Sequence, residues 1–248
     1  SNGFTISTNV GINTNNNDYV AWNWKAGGTA VSNTDGDNNS AMVSANPDAG
    51  FSIITYTGTG TNNSSVGHGL DSKPEMFIYK RFNSSSSWGI VHKDVNNYKA
   101  YLSFTTGAST NDTNMNAPTD EVIRFNTTSP TYNGSGQDWL IYAFHSVDGY
   151  SKFGSYVGTG ASGNSIYTGF RPAYVMIKRT DTSGHSWLIY DNKRDPSNPV
   201  GKILYANTSQ VENPVGNIMN FLSNGFELIT TNASHNGSGA SYIFMAIA

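Results

Sequence analysis

Tyr56-Thr57-Gly58-Thr59-Gly60 returns as Tyr156-Val157-Gly158-Thr159-Gly160, and around this pair the rest of the chain falls into copies. Gly69-Leu70, Pro74 and Lys80-Arg81 return as Gly169-Phe170, Pro172 and Lys178-Arg179. Trp88-Gly89-Ile90-Val91-His92 is then answered by Trp187-Leu188-Ile189-Tyr190-Asp191. Matches in one order at nearly one offset mark a duplicated unit. The closing piece of the unit occurs three times: from Ser1-Asn2-Gly3-Phe4 to Trp22, from Glu121 to Tyr142, and from Ser223-Asn224-Gly225-Phe226 to Met245. The reading is therefore a partial repeat (closing hairpin) and connector over 1–45, a first β-sandwich repeat over 46–147 and a second over 148–248. A chain that opens in mid-unit is expected to be a segment of a longer array, with strand exchange through residues 1–26 open to it.

β-branched and aromatic residues cluster between turn formers, which predicts strands over 51–56, 76–80, 88–92, 100–104, 122–125 and 139–144. The second copy repeats the order over 153–156, 174–178, 187–190, 202–205, 226–229 and 242–247. Met76, Ile78 and Lys80 alternate with Phe77 and Tyr79, so that strand is apolar on both faces and central. Asn133-Gly134-Ser135-Gly136 and Asn236-Gly237-Ser238-Gly239 precede the last strand of each copy and predict tight hairpins with positive φ at Asn-Gly. Asn15-Asn16-Asn17-Asp18 stands at the same place in the opening piece, where Asn tolerates the left-handed region. The only helix expected is a turn or two over 216–222. The fold class is all-β: tandem antiparallel β-sandwich or jelly-roll-like repeats with little helix.

Charged residues make up only 12% of the 248, and the formal net charge is −3, which leaves no electrostatic footprint for nucleic acid. The chain has no Cys, so packing rather than disulfides or thiolate metal sites must hold it. No apolar run approaches the roughly 20 residues of a membrane helix, and membrane insertion is not expected.

The motifs that bear on chemistry are weak. Gly158-Thr159-Gly160-Ala161-Ser162-Gly163 has dinucleotide-loop spacing, but no helix can follow it and the other copy reads Thr61-Asn62-Asn63. Asp35, Asp37 and Asn39 place oxygens at alternate positions, as calcium loops do, although the distal Glu is missing. Calcium is the one cofactor the sequence nominates. His68, His92, His145, His185 and His235 form no zinc spacing, and His92 with Asp94, or His185 with Asp181 and Asp191, are the acid/base pairs to check. No nucleophile elbow occurs and the acids lie scattered. The expectation is a protein that is not an enzyme. Trp22, Trp24 and Trp139 are candidates for stacking on sugar rings, with Asp191, Lys193 and Arg194 as a polar recognition rim. Trp88 and Trp187 could stack on sugar rings as well, but they recur at one place in both units, as core residues do, which favours packing over exposure at a binding face.

Tyr19-Val20-Ala21-Trp22-Asn23-Trp24-Lys25-Ala26-Gly27-Gly28, Ala45-Asn46-Pro47-Asp48-Ala49-Gly50-Phe51-Ser52-Ile53, Gly67-His68-Gly69-Leu70 and Gly149-Tyr150-Ser151-Lys152-Phe153-Gly154-Ser155-Tyr156 together resemble a repeat domain of unknown function. That domain is found in tail-fibre-like and virion-associated proteins of marine tailed phages. The resemblance implies a β-rich module at a virion surface, extracellular, with other virion proteins or a host-surface glycan as partners. It transfers no catalytic or ligand-binding residue. The leading expectation is a host-surface or glycan adhesion module, homo-oligomeric because multivalency strengthens weak sites. Its rivals are a self-assembling decoration, fibre-shaft or filament subunit joined by strand exchange, and a polysaccharide depolymerase.

Overall fold

The computed structural model describes residues 3–105, 107–126 and 131–248. The chain is all-β. Its strands are β1 (Val31–Ser32), β2 (Met42–Asn46), β3 (Phe51–Thr57), β4 (Ser65–Gly67), β5 (Met76–Arg81), β6 (Gly89–His92), β7 (Ala100–Ser103), β8 (Thr110–Asn111), β9 (Met115–Asn116) and β10 (Val122–Phe125). They continue as β11 (Asp138–Phe144), β12 (Ser151–Val157), β13 (Asn164–Tyr167), β14 (Tyr174–Arg179), β15 (Leu188–Asp191), β16 (Val200–Tyr205), β17 (Asn213–Leu222), β18 (Gly225–Leu228) and β19 (Ser241–Ile247). A 3-10 turn, Pro47–Ala49, is the helical element among the described residues.

Both repeats share one topology. In the first, a large antiparallel sheet runs β1-β2-β3-β11-β5-β6-β7-β8 and a small sheet runs β4-β10-β9. In the second, β12-β19-β14-β15-β16-β17-β18-β13 forms one continuous order, because β17 leaves the large sheet and enters the small one. Asn213 and Pro214 pair with Ile203 and Lys202 of β16, whereas Met219 to Leu222 pair with β18. The first repeat makes the same passage in pieces, as β8 and then β9. The helix expected over 216–222 is thus the far half of β17: Ile218, Met219 and Phe221 are buried by the sandwich, and packing overrides a weak helical pattern.

Strand β5 is central, as its two-sided pattern predicts, lying between β11 and β6. Phe77 and Tyr79 join the core inside the first sandwich, while Met76 faces the opposite way. The region read as a connector supplies β1 and β2, which extend the large sheet beyond β3.

The Asn-Gly sequences are not hairpins of the expected kind. Positive φ falls at Gly136 and Gly239, and at Asn16 in the opening piece, rather than at Asn133-Gly134 or Asn236-Gly237. Asn133 and Asn236 are fully buried and clamp the recurrent glycine turn. Asn133 Oδ1 accepts the N–H of Thr59 at 2.9 Å, and Asn236 Oδ1 that of Thr159 at 2.8 Å. Their Nδ2 atoms donate to the Thr61 and Ala161 carbonyls. A Cβ on Gly58 or Gly158 would stand 2.3 or 2.2 Å from the carbonyl oxygen of Gly134 or Gly237, so only glycine admits this approach. The G-x-G-x-x-G spacing therefore belongs to this turn, and strand β13 follows it.

The two sandwiches are fused. The outward faces of their large sheets pack on each other and form a third core, with Phe51, Met76, Ile90 and Phe144 on one side and Phe153, Met176, Trp187 and Met245 on the other. Phe144 and Phe153 meet at 5.5 Å between ring centroids. Trp187 Nε1 donates to the carbonyl of Ser103 across the boundary at 3.1 Å, and the Ser109 N–H donates to the Thr180 carbonyl at 2.9 Å.

Candidate functional site

The shared core opens into an apolar cleft of two connected chambers, about 660 and 440 Å³. Ile78 on β5, Tyr142 on β11, Phe104 after β7 and Ala206 after β16 line both chambers. Trp88 and the polar run Asn207, Thr208 and Ser209 complete the first chamber. Trp24, Phe144, Tyr174 and Met176 wall the second.

Strand alternation positions these side chains. On β11, Trp139, Ile141 and Ala143 point into the first sandwich, which turns Tyr142 and Phe144 toward the second repeat. Trp88 lies against Tyr142 with centroids 6.0 Å apart and planes inclined by 14°. Lys80 Nζ stands 5.2 Å over the Trp88 ring and donates to the Ser86 carbonyl at 3.2 Å, which holds a cation at the platform. In the second repeat Asn207 Oδ1 accepts the backbone N–H of Trp187 at 2.8 Å and fixes the polar run. The lining thus combines an aromatic stack with a ledge of amide and hydroxyl groups. Among the described residues no carboxylate lines either chamber.

The residues expected from the sequence are partly gathered here. Trp24 lines the second chamber, edge-on to Tyr174 at 6.0 Å and to Phe144 at 6.5 Å. Trp22 meets Tyr174 at 5.7 Å, and the Arg194 guanidinium lies 5.9 Å from its ring. Arg194 in turn holds Asp191 at 2.6 Å and Glu212 at 2.8 Å. The Asp191 carboxylate also accepts the N–H groups of Lys193 and Arg194, so this pair braces a turn rather than facing a ligand. Lys193 itself is exposed. Trp139 is only 3% exposed and lies between Tyr56 and Tyr79 inside the first sandwich, on the other face of β11 from the cleft. A surface stacking role does not fit it.

In the expected calcium loop Asp37 accepts the N–H and hydroxyl of Ser65 and the hydroxyl of Ser64, while Asp35 accepts from the Asn33 amide. Asn39 is exposed. The Asp37 carboxylate ties the loop to β4, and among the described residues no group of three or more His, Cys, Asp or Glu is placed to hold a metal.

The histidines of the two acid/base pairs, and His235, are committed to the fold. His92 is fully buried, accepts the backbone N–H of Asp94 through Nδ1, and is held down to a pKa of about 3 by burial and then by Lys93. His235 is bonded to Tyr190 Oη at 2.5 Å, and burial lowers it to about 4. His185 meets Ser234 at 2.9 Å, while Asp181 is taken by Arg179 at 2.7 Å and Asp191 by Arg194.

Trp88 is the site residue that sequence reasoning sets aside, because its recurrence as Trp187 favours packing over stacking on a ligand. The two units do not bury the pair equally: Trp187 is 1% exposed against Phe104, whereas Trp88 stays half-buried at the cleft. No signal within either copy distinguishes them.

Fold and cleft define a tandem β-sandwich protein with an aromatic cleft between its units. The chain belongs to a family described as a domain of unknown function (DUF7483), whose family model matches residues 1–248. No curated protein and no solved structure matches it.

Proposed function

We propose that the chain is a non-enzymatic adhesion module of a phage virion surface or tail fibre that takes a host-surface glycan in the cleft between its sandwiches. The observation that carries this reading is the Trp88–Tyr142 stack beside the ledge of Asn207, Thr208 and Ser209. An aromatic face covers the apolar side of a sugar ring, and the amide and hydroxyls bond its rim. A lining in which no carboxylate stands among the described residues supports binding over hydrolysis, which needs two acids about 5 to 10 Å apart. The virion setting rests on the resemblance of the repeat motifs to phage tail-fibre-like proteins, and a fibre would multiply a weak single site by avidity.

Titration of the chain with bacterial surface polysaccharides, followed by tryptophan fluorescence and calorimetry, tests the reading. A binding polysaccharide is expected to lose roughly tenfold or more in affinity with Trp88→Ala, equivalent to at least about 1.4 kcal/mol. Binding that survives Trp88→Ala unchanged would move the ligand out of the cleft, and hydrolysis of the polysaccharide would replace the reading with an enzymatic one.

A further inference from the structure

Residues 3–24 pair with no strand among the described residues, yet their loop is folded as the closing loop of a complete unit. The N–H of Asn13 donates to the Asn9 carbonyl at 2.9 Å, as that of Asn236 does to Asn232 at 2.8 Å. Asn13 Nδ2 donates to the Ser7 carbonyl at 2.8 Å, as Asn236 Nδ2 does to Thr230 at 3.0 Å. The N–H of Thr14 donates to Tyr19 Oη at 3.0 Å, as that of Gly237 does to Tyr242 Oη at 2.8 Å. Asn16 has φ 64°, where Gly136 and Gly239 have 67° and 71°. The closing element is preformed.

Burial splits its two faces. In the second unit Ile243, Met245 and Ile247 of β19 pack into the shared core, while Tyr242, Phe244, Phe226 and Leu228 fill the sandwich and are at most 4% exposed. Trp22 and Trp24 occupy the places of Met245 and Ile247 in the repeat, and they too pack against the shared core. The sandwich-facing positions are bare: Phe4, in the place of Phe226, is 64% exposed, Ile6 42% and Tyr19 51%. One face of the element is thus seated and the other is an apolar surface without cover.

We propose that residues 3–24 are a ready-made closing strand pair that completes an unfinished unit of this same repeat, one carrying the equivalents of β12 to β17 and lacking the last two strands. The cover presents the glycine turn on which both units here close. Its threonine N–H bonds Asn13 Oδ1, as Thr59 and Thr159 bond Asn133 and Asn236. Its tyrosine hydroxyl donates to the Ile12 carbonyl, as Tyr56 and Tyr156 donate to those of Tyr132 and His235. A second copy of the chain does not meet this need, because both its units already hold their own closing strands. Recognition is main-chain strand pairing plus burial of alternate side chains.

The test adds opening strands to the full chain. A copy of residues 148–222 is placed directly before Ser1, a second fusion uses residues 50–118, and hydrogen exchange is read over residues 3–24. In the unfused chain, at a concentration where light scattering shows a monomer, these amides are expected to exchange fast. At least one fusion is expected to slow them by roughly a hundredfold or more, as incorporation in a cooperative sandwich does. Phe4→Asp with Ile6→Asp should abolish that protection in the fusion and leave the melting of the unfused chain unchanged, since both side chains are exposed there and neither holds the loop by a hydrogen bond. Amides that stay fast in both fusions, or are already slow in the monomeric unfused chain, would overturn the proposal. Protection that rises with concentration in the unfused chain would also overturn it, by making a second copy the cover.

Discussion

Asn133 and Asn236 each tie two distant stretches of chain together with a single buried amide, and the buried histidines show the same commitment of polar groups to the fold. The histidines carry a sign that can be measured. His92 is held neutral, with a folded pKa of about 3 against 6.5 for the free group, and His235 at about 4. Burial disfavours the imidazolium, so between these values and 6.5 the unfolded chain binds more protons than the folded one. Stability is then complete above about pH 6.5 and falls on acidification, by up to about 1.4 kcal/mol per pH unit for each histidine. Denaturant midpoints measured from neutral pH downward should show this slope, and His92→Gln should flatten part of it. A midpoint independent of pH across that window would refute the neutral, buried state of these side chains.

Among the strands, the transfer of β17 between sheets depends on one close approach. Gly201 in β16 faces Gly216, which has φ 85°, and a Cβ on Gly201 would stand 1.6 Å from the Gly216 carbonyl oxygen. The register shift between Val200 and Lys202 lies at the same spot. Gly201→Ala is therefore expected to destabilise the second unit by about 2–4 kcal/mol, because backbone must move to admit the methyl group. Chemical denaturation together with hydrogen exchange over β16 and β17 checks it, and wild-type protection in the variant would show that the strands part without cost. The same element explains why the sequence misleads over 216–222. A strand that serves two sheets is exposed over 213–217 and buries Ile218, Met219 and Phe221 beyond, so its apolar residues follow no single period.

The whole molecule is joined through the core between the large sheets. Phe144 stacks on Phe51 at 4.8 Å and meets Phe153 of the second unit at 5.5 Å, and Trp22 and Trp24 pack against the same core. Two sandwiches sharing a core of this kind should unfold together. Phe153→Ala is expected to remove about 3–5 kcal/mol and to split a single calorimetric transition into two. One unchanged transition would mean that Phe153 is not part of what couples the units.

The duplicated unit, the all-β class and the central place of β5 were legible from local sequence, because strand propensity, alternation and glycine turns act over a few neighbouring residues. Trp22 and Trp24 stand out in the same way, as aromatics alternating along a short stretch. The fusion of the two sandwiches, the burial of Trp139 and the different fates of Trp88 and Trp187 arise only when the chain is folded. Equivalent residues in two copies carry equivalent sequence signals, and exposure depends on what the other copy places against them. The cleft lies where that packing is incomplete, between surfaces separated by much of the chain, so no single stretch of residues announces it.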